Sequence, residues 1–146
     1  MLVQSIAIAL VYGFFLFEMT GLTAGGLIAP GYFGLSFDQP WLIGLCLLTA
    51  FSTMLLTRCL SYVTILYGRR RFLVSVLMGF ALQWVLLSLF MGTELGQGRI
   101  EVVGYIIPGL VASEMDRQGP LPTLLALLVL STLVFLSMKL LLWLQV

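Results

Sequence analysis

The chain has 146 residues, of which 61% are hydrophobic and 9% charged, with a net charge of +1 and no histidine. At a mean hydropathy of +1.14 it carries more apolar surface than so short a chain can hide from water, which excludes a soluble domain and makes it an all-α, multi-span integral membrane protein. The near-neutral charge gives no basis for nucleic-acid binding, and the lack of histidine removes imidazole bases, histidine metal ligands and Ser-His-Asp triads.

The first apolar run covers residues 2–22, interrupted by Gln4, Ser5 and Glu18. No Lys or Arg precedes it and further hydrophobic spans follow, so it reads as an uncleaved helix, not a signal peptide. Gly21-Leu22-Thr23-Ala24-Gly25 ends it. After a stretch from Gly26 to Asp38 built around Pro30-Gly31, Asp38-Gln39-Pro40 reads as a helix start, an acidic cap followed by proline in the opening turn. Trp41 to Tyr67 is a second span, long enough at about 40 Å to cross with some to spare. Arg58 in its last third can snorkel to the nearer surface. Cys46 and Cys59 on this helix stand about 20 Å apart, too far to bridge.

Tyr67-Gly68-Arg69-Arg70-Arg71 closes the span, and Phe72–Gly92 forms the third, with Gln83 as its one strongly polar interior residue. Thr93–Val103 is polar and holds Glu94, Gln97, Arg99 and Glu101. A second Pro-Gly stretch, Gly104 to Asp116, leads into Arg117-Gln118-Gly119-Pro120-Leu121-Pro122, another acid-then-proline helix start. Leu124–Val146 is the last span and carries Lys139, the only lysine. With no G-x-x-x-x-G-K-[ST], the chain has no recognisable site for ATP phosphates.

The two Pro-Gly stretches align at a constant offset of 78, and five of thirteen positions match: Gly26/Gly104, Ile28/Ile106, Pro30/Pro108, Gly31/Gly109 and Asp38/Asp116. We expect a single membrane domain over 1–146 built from two duplicated halves, 1–68 and 69–146. About four transmembrane helices are expected, each half adding a re-entrant or broken-helix element at its Pro-Gly pair. Thirteen helical residues cover only about 20 Å, short of the ~30 Å hydrocarbon layer. The rival topology lets both stretches cross, giving six crossings and inverted repeats. In the four-span arrangement Arg58, Arg69, Arg70, Arg71 and Lys139 share one side, and Arg99, Arg117 and all six acids the other. The positive-inside rule then makes the triple arginine and both termini cytoplasmic.

Thr23-Ala24-Gly25-Gly26-Leu27-Ile28-Ala29-Pro30-Gly31-Tyr32, Phe37-Asp38-Gln39-Pro40, Ile65-Leu66-Tyr67-Gly68-Arg69-Arg70-Arg71-Phe72 and Ile107-Pro108-Gly109-Leu110-Val111-Ala112, with Arg117-Gln118-Gly119, resemble the membrane subunit of poly-γ-glutamate synthase, the CapC/PgsC family. Glu18 ahead of Thr20-Gly21 fits the family's acidic residue, and the resemblance covers essentially the whole chain. Asp38 and Asp116 depart from the family's usual residues. The resemblance implies a bacterial cytoplasmic (inner) membrane subunit working with a cytoplasmic Mur-ligase-like amide ligase, on which ATP and a divalent metal are expected, and with a membrane-anchored outer subunit. Together they make and export an anionic, γ-linked glutamate polymer for capsule or slime.

The leading expectation is a non-catalytic or co-catalytic subunit, holding no cofactor or metal itself, that docks the ligase and passes the polymer outward. Arg69, Arg70 and Arg71 are candidates to gather polymer or ligase at the inner mouth, with Arg99 and Arg117 at the exit, because a carboxylate in a low-dielectric passage requires donors or positive charge. Gly26, Pro30, Gly31, Gly104, Pro108 and Gly109 are the candidate irregular elements, and Glu18, Asp38, Glu101 and Asp116 a candidate acidic site. A single small chain would make a tight pore, so a homo-oligomer or a shared passage is expected. An independent small transporter and a pure membrane scaffold for the ligase are the alternatives, with an intramembrane enzyme ranked last.

Overall fold

The computed structural model describes residues 2–26, 28–65, 67–90 and 102–144. The expected sites at Arg99 and Glu101 lie outside these residues. Among the described residues the elements, all helical, are α1 (Leu2–Thr20), α2 (Ala29–Leu35), a 3-10 turn (Ser36–Asp38), α3 (Pro40–Val63), α4 (Arg69–Phe90), α5 (Val102–Gln118) and α6 (Pro120–Leu144). Four helices have the length and apolarity to cross a membrane: Val3–Thr20, Pro40–Val63, Arg69–Leu89 and Pro120–Leu144. These are the four spans read from the sequence, with α4 extended back over its arginines and α6 begun at Pro120.

The two Pro-Gly stretches differ in form. After α1, Gly21, Gly25 and Gly26 take φ of 69°, 67° and 81°, a left-handed region open to glycine and costly to other residues. Helix resumes only at α2, with Pro30 in its first turn, where the missing N–H is no loss. In the second stretch the positions matching Gly25 and Gly26 are Val103 and Gly104, so helix begins a turn and a half earlier. Here α5 runs unbroken from Val102 to Gln118 with Pro108 inside it. The expected break at Pro108 is therefore absent, and the lost backbone hydrogen bond and ring clash are offset by burial of Gly104, Ile107, Pro108 and Gly109.

Side-chain contacts fix the direction of every element. α3 and α4 are antiparallel, with Ser75 Oγ 3.4 Å from Thr57 Oγ1 and Leu86 beside Pro40 and Trp41. α4 and α5 are antiparallel too, with Arg71 on Asp116 and Phe80 on Tyr105 at 5.8 Å between centroids. Thr23, just past the end of α1, bonds Gln118 at the end of α5. Gly31 lies against Ser5, Ile6 and Ala9 near the start of α1. Between Thr23 and Gly31 the chain thus descends most of the length of α1, about 21 Å from Thr20 to Ile6. Gly34 then packs on Ser131 and Val134 of α6, and Phe37 on Phe135 at 5.1 Å.

Among the described residues the chain therefore makes six passes between the two ends: four long ones by α1, α3, α4 and α6, and shorter ones by α5 and by the irregular segment with α2. One end collects Thr23, Arg58, Arg69–Arg71 and Asp116–Gly119. The other collects the start of α1, Asp38–Trp41 and the end of α6. This overturns the expected charge map. Asp116, Glu114 and Arg117 share the end with Arg58 and Arg71, and Lys139, over the Phe135 ring at 5.1 Å, belongs to the opposite end. The four-span map failed because it gave the two shorter elements no net displacement.

Small residues let the backbones meet, the usual means of helix association in lipid. A Cβ on Gly109 would lie 2.6 Å from Val76 Cα and 2.9 Å from Ser75 O, and one on Gly79 would lie 2.5 Å from Gly109 Cα. Thr49, Thr53 and Thr57 form a buried stripe on α3, each hydroxyl donating to the carbonyl four residues back at 2.6–2.8 Å, which satisfies them without a partner helix. Ile107, Val111, Ala112 and Met115 of α5 join Ala50 and Met54 of α3 and Leu127 and Leu130 of α6 in the main core, with Phe33 of α2. Phe14, Phe15, Trp84, Leu136 and Leu140 point outward, as a lipid-facing surface requires.

Gly109→Ala is expected to destabilise the α4–α5 contact by overpacking, about 1–3 kcal/mol. Gly44→Ala, with open space at its Cβ, should be neutral or stabilising by up to about 1 kcal/mol. Thermal unfolding of both variants in detergent micelles checks the contrast, and equal behaviour would contradict the packing.

Candidate functional site

The polar side chains converge on the end where α3 stops, α4 starts and α5 stops. Asp116, its side chain 5% exposed, is shared by two arginines from two other helices. Arg58 Nε donates to Oδ1 at 3.1 Å, and Arg71 Nε pairs with Oδ2 as an ion pair out of hydrogen-bond alignment. Both guanidiniums reach solvent, with side chains 47% and 35% exposed. The carboxylate is thus the dry partner and the arginines its route to water, as snorkelling predicts.

Beside this triad lies a network on α5. Thr23 N–H donates to Gln118 Oε1 at 2.9 Å, and Gln118 Nε2 donates back to Thr23 O at 2.9 Å. Thr23 Oγ1 donates to Glu114 Oε2 at 2.7 Å, and Gln118 Nε2 reaches the same oxygen at 3.0 Å. Thr23 belongs to the irregular segment, whose backbone groups have no helix to satisfy them. Gln118 supplies one donor and one acceptor to a single residue, standing in for a backbone neighbour. Arg117 Nη1 meets Glu114 Oε1 at 3.4 Å on the exposed side.

These groups open on a pocket of about 310 Å³, lined by Gly68, Arg71, Phe72, Ser75, Ser113, Asp116 and Arg117. Arg69 and Arg70 are exposed at the start of α4, between Gly68 and Arg71 of that lining in sequence. Of the expected arginines, the structure thus gathers Arg69, Arg70, Arg71 and Arg117 at one end, so Arg117 is not across the bundle at an exit.

Among the described residues the members of the expected acidic site, Glu18, Asp38 and Asp116, are not brought together. Glu18 is exposed near the end of α1, Asp38 is exposed at the opposite end, and Asp116 is engaged by its arginines. Neither aspartate caps a helix. α3 has no side-chain cap bond, and Asp116 lies inside α5. Gly26 turns the irregular segment, Pro30 and Gly31 are buried against α1, and Gly104, Pro108 and Gly109 are buried in α5. The Pro-Gly residues therefore act in packing. Sequence reading missed Thr23, Gln118 and the role of Arg58. Thr23 and Gln118 fall within the segments that carry the family resemblance, which was the available signal.

The family described as capsule biosynthesis CapC matches residues 8–124. The PGA biosynthesis protein CapC of Bacillus subtilis (strain 168) is 36% identical over 119 residues, 81% of this chain and 80% of the relative. The capsule biosynthesis protein CapC of Bacillus anthracis is 31% identical over 103 residues, 70% of this chain and 69% of the relative. No solved structure matches the chain.

Asp116→Asn should leave two arginines without a counter-charge and cost about 2 kcal/mol, less than the ~3–5 kcal/mol of a fully buried pair because both guanidiniums reach solvent. Adding Arg71→Gln should recover part of the loss. Thermal midpoints of the two variants measure this, and an unchanged midpoint for Asp116→Asn would remove the triad as a structural tie.

Proposed function

The chain belongs to the capsule biosynthesis CapC family, and on that premise we propose that it is the membrane subunit of a poly-γ-glutamate synthesis and export complex in the bacterial inner membrane. A cytoplasmic, ATP-dependent amide ligase makes the polymer, and a membrane-anchored outer subunit completes the assembly. This chain receives the anionic product at its arginine end and supports its passage outward.

The observation that carries the reading is the concentration of Arg58, Arg69, Arg70, Arg71 and Arg117 at one end of an otherwise apolar bundle. The positive-inside rule turns that end to the cytoplasm, where the ligase works. Three passes, an odd number, separate Leu2 from Arg69, so the same rule turns both termini outward, the reverse of the four-span expectation. A polymer with one carboxylate per residue meets paired positive charge at the mouth, which offsets part of its desolvation. The interior is packed by residues such as Phe33, Ile107, Met115 and Leu127, each under 2% exposed. The passage is accordingly shared with another polypeptide, a second copy or the outer subunit, and does not run down the middle of one chain.

The two halves, 1–68 and 69–146, are inverted repeats in this reading. α2 packs on α1 of its own half and α6 of the other; α5 packs on α4 of its own half and α3 of the other. Gly31 sits on Ser5 and Ile6 as Gly109 sits on Ser75 and Val76. Opposed repeats with a broken element are also the plan of small transporters. That favours, as a second reading, solute movement by this chain alone, which purified protein in liposomes would reveal.

Arg69→Gln with Arg70→Gln leaves the Asp116 triad intact. Co-expressed with the ligase and outer subunit, the variant should insert normally and lower polymer output at least tenfold. Undiminished polymer at equal membrane levels would overturn the assignment.

A further inference from the structure

The pocket at the arginine end has features that the tie between helices does not require. Arg58 and Arg71 both meet Asp116 through Nε. Among the described residues neither places its terminal Nη groups on a carboxylate, although a guanidinium is built to grip one with two parallel bonds. Arg117 has only the long 3.4 Å contact to Glu114, whose other oxygen is occupied by Thr23 and Gln118. Ser75 Oγ on the pocket wall holds its hydroxyl proton in a weak 3.4 Å bond to Thr57, readily exchanged for a stronger acceptor. Three guanidiniums meet two carboxylates at this end, an excess of one positive charge, with the exposed Arg69 and Arg70 nearby at the start of α4. The volume, about 310 Å³, is at the lower end of the range for small-molecule sites.

We infer that this pocket binds an α-carboxylate of a γ-linked glutamyl chain, with Arg71 and Arg117 as the gripping residues and the Ser75 hydroxyl as a further donor. Asp116 acts here as a positioning residue. By taking the Nε edge of Arg71 it holds the guanidinium in place with its Nη face toward the pocket, and it sets the local excess charge at a value one carboxylate neutralises. The inference rests on the export reading and gives it a site of first contact. The same chemistry would admit free glutamate, and the cationic surroundings would also attract a lipid phosphate, so both enter the test.

The full-length chain is placed in nanodiscs of zwitterionic lipid, and binding of a fluorescein-labelled γ-linked octaglutamate is followed by anisotropy. The octamer is expected to bind wild type, with competition by unlabelled octamer and none by the octamer whose α-carboxylates are carboxamides. Arg71→Gln with Asp116→Asn removes the charge pair together, and its thermal midpoint reports folding. It should weaken binding at least tenfold, Arg117→Gln several-fold, and Lys139→Gln at the far end not at all. No binding by wild type at millimolar octamer, equal binding by both pocket variants, or equal competition by the carboxamide would overturn the site. Free glutamate competing as well as octamer would overturn it in favour of the monomer, and abolition of binding by anionic lipid at constant ionic strength in favour of a headgroup. Should the octamer fail to bind while polymer output in cells still requires the chain, the pocket assignment falls and the export reading stands. Output that is independent of the chain removes both.

Discussion

Asp116 is a carboxylate with almost no water of its own, held by Arg58 from α3 and Arg71 from α4 while sitting on α5. An ion in that position is tolerable only if its counter-charges are present in every folded molecule, so the meeting of these three helices is not optional. About half a turn along α5, Gln118 and Thr23 make the same demand of the backbone. The segment after α1 carries peptide groups without helical partners, and a side-chain amide satisfies two of them. Between them these contacts bring the ends of α1, α3 and α5 and the start of α4 to one level. The direction of every other pass follows from that alignment.

The four long helices were legible because a span of twenty apolar residues has no other use in so short a chain. Their boundaries were legible where proline or a cluster of glycines marks them, as at Gly21 and Pro40. The sixfold traverse was not. A seven-residue helix after an irregular run, and a seventeen-residue helix with proline inside it, both fall below the length by which a span is recognised. Pro30 and Pro108 occupy matching positions in sequence, yet one opens a helix and the other lies within one. The difference comes from Gly25 matching a valine, a neighbour and not the proline itself. Arg69, Arg70, Arg71 and Arg117 were picked out from the pattern of charge along the chain. Their partner was missed because Asp116, read as a helix cap, was assigned to the far side.

The same features give the family's role a physical form. A chain that is 61% hydrophobic places Arg58, Arg69, Arg70, Arg71, Glu114, Asp116 and Arg117 at one end, where the balance is positive although three of the arginines are paired. Each of Arg58, Arg71 and Arg117 has an acid beside it, which lets it sit at the edge of the hydrocarbon. None is saturated by that acid, which on the proposed function leaves donors for an anion arriving from the cytoplasm. Tight α4–α5 packing through Gly79 and Gly109 fixes the helices that carry the pocket wall, so on the proposed function the donors are held before an anion binds.

The sidedness of three positions tests this arrangement most directly. In a chain with Cys46 and Cys59 replaced by serine, single cysteines at Arg70, Arg117 and Asp38 are treated with a membrane-impermeant maleimide in intact cells and in inverted vesicles. The account predicts that positions 70 and 117 label from the same side, the cytoplasm, and position 38 from the other. Labelling of 38 and 117 together, opposite to 70, would mean that the Pro-Gly segments do not traverse the bilayer and would contradict it.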